Sequence, residues 1–305
     1  MASNRKKRIV DKTFKYIFLL ITVICASAIF AIIGTVIIKG IKPFVNSYTY
    51  NGVITKANIT NFLFGLTWEK TPNDFGILFI VINTFYVTLL SLLIAVPVSV
   101  LTALFIVRMA PNWLGKILTT ITEVLSSIPS IIYGLFGAGM ITVIIRNIAG
   151  VFNYQTAGGI STLATVIVLT MMIMPTITTI SVTSIRAVKQ DYINGSLALG
   201  ASPMQTNFKV VLTSAKSGIL SGIILGIGRA LGEATAVSMV CGNAQSGPTF
   251  SLFDITRTLT STMLSGLSES TGLQYDIRFS IAIVLLVLII VVNLLLNKVK
   301  KRIGN

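Results

Sequence analysis

The sequence predicts an all-α polytopic membrane protein with six transmembrane helices. Of its 305 residues, 53% are hydrophobic and only 11% are charged, and the mean hydropathy is +0.87. Soluble domains carry about 25% charged residues. Long uncharged runs also recur along the chain, and about 20 apolar residues suffice for one helix to cross a bilayer. These observations exclude an ordinary soluble domain.

Six apolar runs are long enough to form spans. They cover residues 16–38, 80–107, 120–145, 160–182, 217–241 and 279–297. The first run could also be read as a secretory signal, because a basic cluster precedes it and Ala26-Ser27-Ala28 resembles a cleavage site. Signal cores of about 7–15 apolar residues are shorter than this run, however, and the small residues fall in its middle. We therefore predict an uncleaved span.

The distribution of basic residues predicts the orientation of the chain. Six spans put the basic segments 1–15 and 298–305 on the same side of the transmembrane domain 16–297. Sixteen Lys and Arg residues lie on that side, against seven on the other. Because basic residues are retained in the cytoplasm, both termini are predicted to be cytoplasmic. The net charge of +15 then faces the anionic headgroups of the lipid bilayer, and nucleic acid is not a predicted partner.

Several kinds of catalytic site are excluded by the residues that the sequence lacks. The chain has no His, which removes the usual general base and the commonest metal ligand. Its two cysteines are far apart, so no metal site is predicted. Gly115-Lys116 is followed by Ile117 and does not form a phosphate-binding loop. The chain is therefore predicted to have no catalytic residues and to hydrolyse no nucleotide by itself.

Two charged residues, Arg229 and Glu233, interrupt the fifth apolar run. A charge inside a bilayer costs at least about 2.5–3.5 kcal/mol and usually marks a pathway or a binding site. At about 100° per residue in a helix, both fall on one stripe with Gly218, Gly222 and Gly226. The sequence thus predicts that the small and the charged residues share one helix face.

This stripe has two interpretations. The planar guanidinium of Arg suits oxyanions, and a neighbouring carboxylate is compatible only with an anion that carries its own proton. Phosphate carries such a proton at neutral pH, whereas sulfate does not. Alternatively, Arg229 and Glu233 form an i,i+4 pair that neutralises itself and packs the helix.

Two prolines within spans and one long cytoplasmic loop are the other features of interest. Pro129, followed by Ser130 and Tyr133, and Pro175 in the fourth span predict bends that would suit a gated pathway but also occur in inert bundles. The loop 186–216 is long for a turn and predicts a short amphipathic helix, a break at Gly200 and a second helix up to Val211. Such a projection is typical of either a docking element or a solvated linker.

The chain resembles permease subunits of bacterial ATP-driven phosphate importers of the PstC type, from about residue 62 to residue 293. The motifs that carry the resemblance are Phe62-Leu63-Phe64-Gly65 with Trp68, Ile128-Pro129-Ser130 with Tyr133-Gly134, Ile173-Met174-Pro175-Thr176, Leu197-Ala198-Leu199-Gly200-Ala201, Gly228-Arg229-Ala230-Leu231-Gly232-Glu233 and Arg257-Thr258-Leu259-Thr260. Each is weak alone, but their order and spacing are specific. The resemblance implies the type I ABC importer permease (MetI-like) fold in a bacterial plasma membrane.

The resemblance also implies roles for particular residues. The substrate pathway would contain Arg229 and Glu233 with the adjacent Gly228, Gly232 and Thr235. The loop that inserts into a groove of the ATPase would contain Asn194, Leu197, Ala198, Gly200, Ala201 and Ser202. Gating or kinking would involve Pro129, Ser130, Tyr133 and Pro175.

The implied partners are a second homologous permease, a cytoplasmic ATPase dimer that binds ATP and Mg, an extracytoplasmic phosphate-binding protein and inorganic phosphate. No cofactor is expected in this chain itself. The chain departs from the family at Asn194-Gly195-Ser196, where a Glu-Ala-Ala run is typical, and at Thr213, where Pro is usual. A permease for molybdate or sulfate and a gradient-driven anion transporter are the alternative functions.

Overall fold

The computed structural model describes residues 2–50, 53–70 and 74–304 as a bundle of helices with one small hairpin. The first residue of the predicted segment 1–15 and the last of the predicted tail 298–305 lie outside the described residues. The α-helices are α1 (Ala2–Val45), α2 (Ile59–Phe64), α3 (Leu78–Leu104), α4 (Asn112–Ser127), α5 (Ser130–Phe136), α6 (Thr142–Val151), α7 (Thr162–Arg186), α8 (Gln190–Ala198), α9 (Pro203–Gln205), α10 (Leu212–Gly232), α11 (Thr235–Val240), α12 (Leu259–Leu264) and α13 (Gly272–Gly304).

Three π-helical turns join consecutive helices, and two short strands pair in the first outer loop. Phe105–Met109 extends α3, Gly137–Ile141 connects α5 to α6, and Thr206–Val211 connects α9 to α10. The strands β1 (Tyr48–Tyr50) and β2 (Val53–Thr55) are antiparallel, with Tyr48 opposite Thr55.

The prediction of six spans is confirmed within the described part of the chain. The helical stretches that are long and apolar enough to cross a membrane are Asp11–Val45, Leu78–Met109, Ser130–Val151, Thr162–Arg186, Pro203–Gly232 and Gly272–Arg302. Most of the apolar window of α7 is buried, in contrast to the other five spans. α7 is therefore the central helix of the bundle.

Hydroxyl groups tie α7 to its neighbour α3. The Ser91 hydroxyl donates to the Val166 carbonyl at 3.2 Å, and the Ser99 hydroxyl donates to the Met174 carbonyl at 3.1 Å. Small polar residues let helices approach closely where lipid offers no hydrophobic driving force. These contacts fix the fourth span against the second.

The third span begins later than the predicted range 120–145. α4 ends at Ser127, Ile128 is extended with φ −65° and ψ 127°, and the next helix starts at Ser130. Pro129 explains the break, because its ring disfavours the helical conformation of the preceding residue and it has no N–H to donate. Residues 120–127 therefore belong to a separate helix, α4.

The fifth span also differs from the predicted range 217–241. The helix is continuous from Pro203 to Gly232, and Glu233 then leaves it with φ −77° and ψ 117°. The Glu233 carboxylate accepts a hydrogen bond from the backbone N–H of Ala236 at 2.9 Å, which caps α11. The predicted single helix is thus two helices with a break at Glu233.

The outer loops are packed onto the ends of the spans. Trp68 is fully buried, and Arg278 forms an ion pair with Glu69 at 3.4 Å. Arg257 is only 5% exposed and donates to the carbonyls of Ala244 and Asn243. Burial lowers the pKa of the Arg257 guanidinium to about 10, which still leaves it charged at neutral pH. This arginine fastens the loop before α12.

Candidate functional site

Arg229 lies in the last turn of α10 and reaches across to the central helix. Its Nη1 donates to the hydroxyl oxygen of Thr176 at 2.7 Å, and Thr176 follows Pro175 directly in α7. One contact leaves most of the donors of the guanidinium available, because Arg carries five N–H groups. The residue is half-buried, so those donors remain accessible within the bundle.

The glycine stripe that helical periodicity predicts on α10 packs on α7. A Cβ at Gly218 would collide with the Ser184 side chain, and a Cβ at Gly226 would lie 2.8 Å from Ile177. At Gly222 the nearest atom would be Ile180 Cβ at 3.1 Å. Close helix approach at these glycines is what brings Arg229 within reach of Thr176.

Glu233 lies at the end of the helix that carries this stripe, whereas the sequence predicts a helix that continues to residue 241. The helix ends at Gly232, and the Glu233 side chain caps α11 while its carbonyl accepts a hydrogen bond from Thr260 at 2.6 Å. Thr260 belongs to α12 in the last outer loop. Tertiary contacts from that loop therefore help to stabilise the break between α10 and α11.

Arg229 and Glu233 are not joined as an ion pair. Among the described residues, Arg278 and Glu69 form the only such pair. The alternative of a self-neutralising i,i+4 pair is therefore wrong. The guanidinium and the carboxylate remain as a separate donor and a separate acceptor near one helix break.

The remaining residues of the predicted pathway surround this break. A Cβ added at Gly228 or at Gly232 would have no atom within 4 Å, so both glycines adjoin open space. Thr235 starts α11, and its carbonyl accepts a hydrogen bond from the Ser238 hydroxyl at 2.9 Å. The open side of α10 thus continues alongside the charged residues.

The break between α4 and α5 adjoins the same region. The Tyr133 hydroxyl donates to the Leu125 carbonyl at 2.7 Å, which bridges the break at Pro129 and Ser130. In the same turn of α5, a Cβ at Gly134 would lie 2.8 Å from the Cα of Ala236. The structure therefore brings two discontinuous spans together, as in membrane carriers that bind their substrate near the midplane.

Pro175 lies inside α7 without breaking it, since the helix runs continuously from Thr162 to Arg186. The Thr179 hydroxyl donates to the Pro175 carbonyl at 2.9 Å. Pro175 has no N–H for the Met171 carbonyl four residues earlier, and membrane helices tolerate such a freed carbonyl where neighbours or a cavity satisfy it. Pro175 immediately precedes Thr176, the residue that accepts the hydrogen bond from Arg229.

The loop 186–216 has the predicted helix, break and helix. α8 ends at Ala198, Gly200 has a φ of +83°, and Ser202 and Gln205 form a reciprocal capping box at the start of α9. The backbone N–H of Ala201 donates to the Ser196 carbonyl at 3.2 Å and closes the turn. The second helix continues to Gly232 and does not end at Val211.

The first helix of this loop, α8, has Asn194-Gly195-Ser196 where a Glu-Ala-Ala run is typical, and other contacts hold it in place. The hydroxyls of Ser196 and Thr206 are hydrogen bonded at 2.9 Å, and Ile193 is only 3% exposed. Asn194 accepts a hydrogen bond from the Gln190 amide within α8. Leu197 is exposed, and Leu199 is 90% exposed at the tip. The loop therefore projects a rigid turn with an apolar tip.

Sequence reasoning missed two residues of the site, Thr176 and Thr260. Both occur in the motifs that carry the family resemblance, but nothing in their local pattern indicates contact with Arg229 or Glu233. Their sequence separations from these partners are large, and only the packing of α7 and α12 reveals the contacts. No group of three or more Cys, Asp or Glu able to hold a metal ion occurs in the described ranges.

Comparisons with known proteins place this geometry in a wider context. Residues 95–305 match the family model of the binding-protein-dependent transport system inner membrane component. The chain is 35% identical to the probable ABC transporter permease protein YqgH of Bacillus subtilis, over 99% of this chain and 95% of the relative. It is 31% identical to the phosphate transport system permease protein PstC of Pasteurella multocida, over 80% and 82%.

Solved structures show the same fold at lower sequence identity. A bacterial alginate ABC transporter, solved with its pentasaccharide-bound periplasmic protein, matches with a TM-score of 0.67 and 16% identity over 97% of both chains. The inward-facing methionine transporter MetNI matches with a TM-score of 0.56 and 19% identity, over 75% of this chain and 94% of the other. The predicted MetI-like permease fold is confirmed.

Proposed function

Because the chain belongs to the family of binding-protein-dependent transport system inner membrane components, and is thus an ABC importer permease with no ATPase site of its own, we propose that it forms half of a transmembrane pathway for inorganic phosphate. The relatives named as phosphate permeases support this cargo. Family membership disfavours a gradient-driven transporter.

The observation that carries the proposal is that Arg229 and Glu233 form no ion pair and have different hydrogen-bond partners. Arg229 uses one N–H group to donate to the Thr176 hydroxyl, and one carboxylate oxygen of Glu233 accepts a hydrogen bond from the backbone N–H of Ala236. The other guanidinium N–H groups can donate to phosphate oxygens, and the second carboxylate oxygen can accept from a P–OH group. Sulfate and molybdate, which are fully deprotonated at neutral pH, would meet repulsion from Glu233. The pair therefore favours a protonated oxyanion.

Passage requires that binding is transient. A carrier must release its cargo, so a site that attracts the anion through Arg229 and moderates that attraction through Glu233 suits transport better than a purely cationic site. Gly232 leaves open space beside the charges, whereas the open space at Gly228 belongs to a cavity against α13. The break at Pro129 lies close to α11. These features would line the pathway together with Thr235.

The partners follow from the surfaces that remain exposed. The turn at Gly200, with Leu199 at its tip, would dock into the cytoplasmic ATPase dimer, which would bind ATP and Mg. The exposed side of α4 would face a second permease, and a phosphate-binding protein would deliver cargo from outside. ATPase closure would then draw the docking turns together and open the pathway outward, with both termini of this chain in the cytoplasm.

Uptake of radiolabelled phosphate tests the proposed cargo and the role of Arg229. Arg229→Ala should lower uptake by about 10- to 100-fold, since a hydrogen bond to a charged group is worth about 1.5–3 kcal/mol. Lys216→Gln, near the cytoplasmic end of the same helix, is the matched control and should transport normally at equal membrane levels. Uptake by the Arg229→Ala strain at the wild-type rate would refute the proposal.

A further inference from the structure

A polar cavity lies between α10 and α13, on a different face of α10 from the glycine stripe. Its volume is about 300 Å³, and it is lined by Ser221, Ile224, Leu225, Gly228, Asn293, Asn297 and Lys300. Four of these seven residues are polar or charged, although residues 281–292 just before them in α13 are all apolar. A polar patch on a membrane helix usually binds a ligand or a partner protein.

The polar groups of α13 share one face and are free to donate. Asn293, Asn297 and Lys300 are spaced by four and three residues, so they follow one stripe of the helix. Neither amide has a hydrogen-bond partner in the described part of the chain. The Ser221 hydroxyl already donates to the Ser217 carbonyl at 2.9 Å. The cavity therefore offers one ammonium and two amide donors.

The charge of the lining selects an anion. No Asp or Glu of the described chain lines the cavity, and Lys300 contributes a cation. Asn293 is half-buried and Asn297 is exposed, so both amides are accessible to a ligand. An oxyanion with several acceptor oxygens would satisfy both the amides and the ammonium. A cation or a neutral apolar molecule would leave the donors unused.

The position of the cavity relates it to the membrane surface. Lys300 belongs to the basic end of α13, with Lys301 and Arg302 in the last turn, and Asn293 lies about 10 Å further along the helix axis. Ile224 and Leu225 form an apolar wall, and Leu225 is 54% exposed at its rim. A headgroup phosphate could reach Lys300 while an acyl chain runs along Leu225.

We infer that the cavity between α10 and α13 binds a phosphoryl oxyanion at the level of the lipid headgroups, through Asn293, Asn297 and Lys300. An anionic phospholipid presents this chemistry together with an acyl chain, and free phosphate presents it alone. The inference does not depend on phosphate being the cargo, because it requires only that α10 and α13 lie in a bilayer.

Native mass spectrometry of the full chain, purified in mild detergent with its companions, tests the inference. Phosphatidylglycerol or phosphatidylcholine is added, and retained lipid is compared between Lys300→Gln and Lys301→Gln. The second variant removes the same charge from an exposed neighbour that does not line the cavity. Lys300→Gln should retain about fivefold less phosphatidylglycerol, since one lysine near anionic lipid is worth about 1 kcal/mol. Lys301→Gln should resemble the wild type.

Two further measurements distinguish anionic phospholipid from free phosphate as the ligand and can refute the inference. Asn297→Asp should lose phosphatidylglycerol more completely, because a carboxylate repels the phosphate. If radiolabelled inorganic phosphate, and not lipid, distinguishes Lys300→Gln from Lys301→Gln, the oxyanion site stands with free phosphate as its ligand. Equal retention of both probes by all three variants would overturn it. So would efficient cross-linking of Asn297→Cys to a second permease, which would show that protein fills the cavity.

Discussion

Replacing Gly200 by alanine is expected to weaken docking of the ATPase while leaving the membrane spans intact. Gly200 has a φ of +83°, in the left-handed region that costs an L-residue about 1–2 kcal/mol. A Cβ at this position would meet no atom within 4 Å, so backbone strain accounts for the whole effect. A cost of this size disfavours the native turn by about 5- to 30-fold. The apolar tip would then be presented less often in the docking conformation.

A glycine five residues earlier provides the matched control. A Cβ at Gly195 would also have no atom within 4 Å, but Gly195 lies inside α8, where alanine is more favourable than glycine by about 1 kcal/mol. Gly195→Ala should therefore dock normally. Gly200→Asn should retain most of the association, because Asn tolerates positive φ, whereas Gly200→Glu adds bulk and charge at the tip and should abolish it.

The assay is copurification of the ATPase with the tagged permease, quantified by mass spectrometry at equal membrane levels of each variant. The result expected is a clear loss for Gly200→Ala and none for Gly195→Ala. Equal ATPase recovery with these two variants would refute the link between the left-handed turn and docking. Recovery of Gly200→Asn separates backbone strain from any requirement for the absence of a side chain.

Three other predictions concern hydrogen bonds of the site and of the docking turn. Thr176→Val removes the acceptor of Arg229 and should change the KM for phosphate uptake by up to about tenfold, whereas Thr179→Val, one turn away, should not; identical KM values would count against the contact. Glu233→Gln should make sulfate a better competitor of phosphate uptake, and unchanged competition would argue against the proton-accepting role. Ser196→Ala removes the hydrogen bond to Thr206 and should lower ATPase copurification about two- to tenfold. Unchanged copurification would show that the packing of Ile193 alone holds α8 in place.

The number of spans and the docking turn could be predicted from the sequence because their causes are local. Apolar runs fix the spans, and a glycine between two amphipathic stretches indicates the break at Gly200. The glycine stripe against α7 also follows from helical periodicity alone. In each case the residues that determine the structure are neighbours in the chain.

The end of α10 could not be predicted in this way. No proline precedes Glu233 in the run, and the apolar character of the run continues past it, so a single helix is the natural interpretation of the sequence. The break depends on the cap that Glu233 gives to α11 and on the hydrogen bond from Thr260 in a distant loop. The helix end at Glu233 is thus a tertiary effect. Pro129, by contrast, indicates a bend correctly, but not that a separate helix α4 precedes it.

The continuous helix from Pro203 to Gly232 has a mechanical consequence. It starts three residues after the turn at Gly200 and contains Arg229, so its 30 residues would join the proposed ATPase contact to the proposed anion site through one continuous helix. Such a rod is about 45 Å long, and a tilt of about 5° at one end moves the other end by about 4 Å. That displacement exceeds the length of a hydrogen bond. If the turn at Gly200 docks on an ATPase as proposed, a small rotation there would be sufficient to make or break a contact between Arg229 and a bound anion.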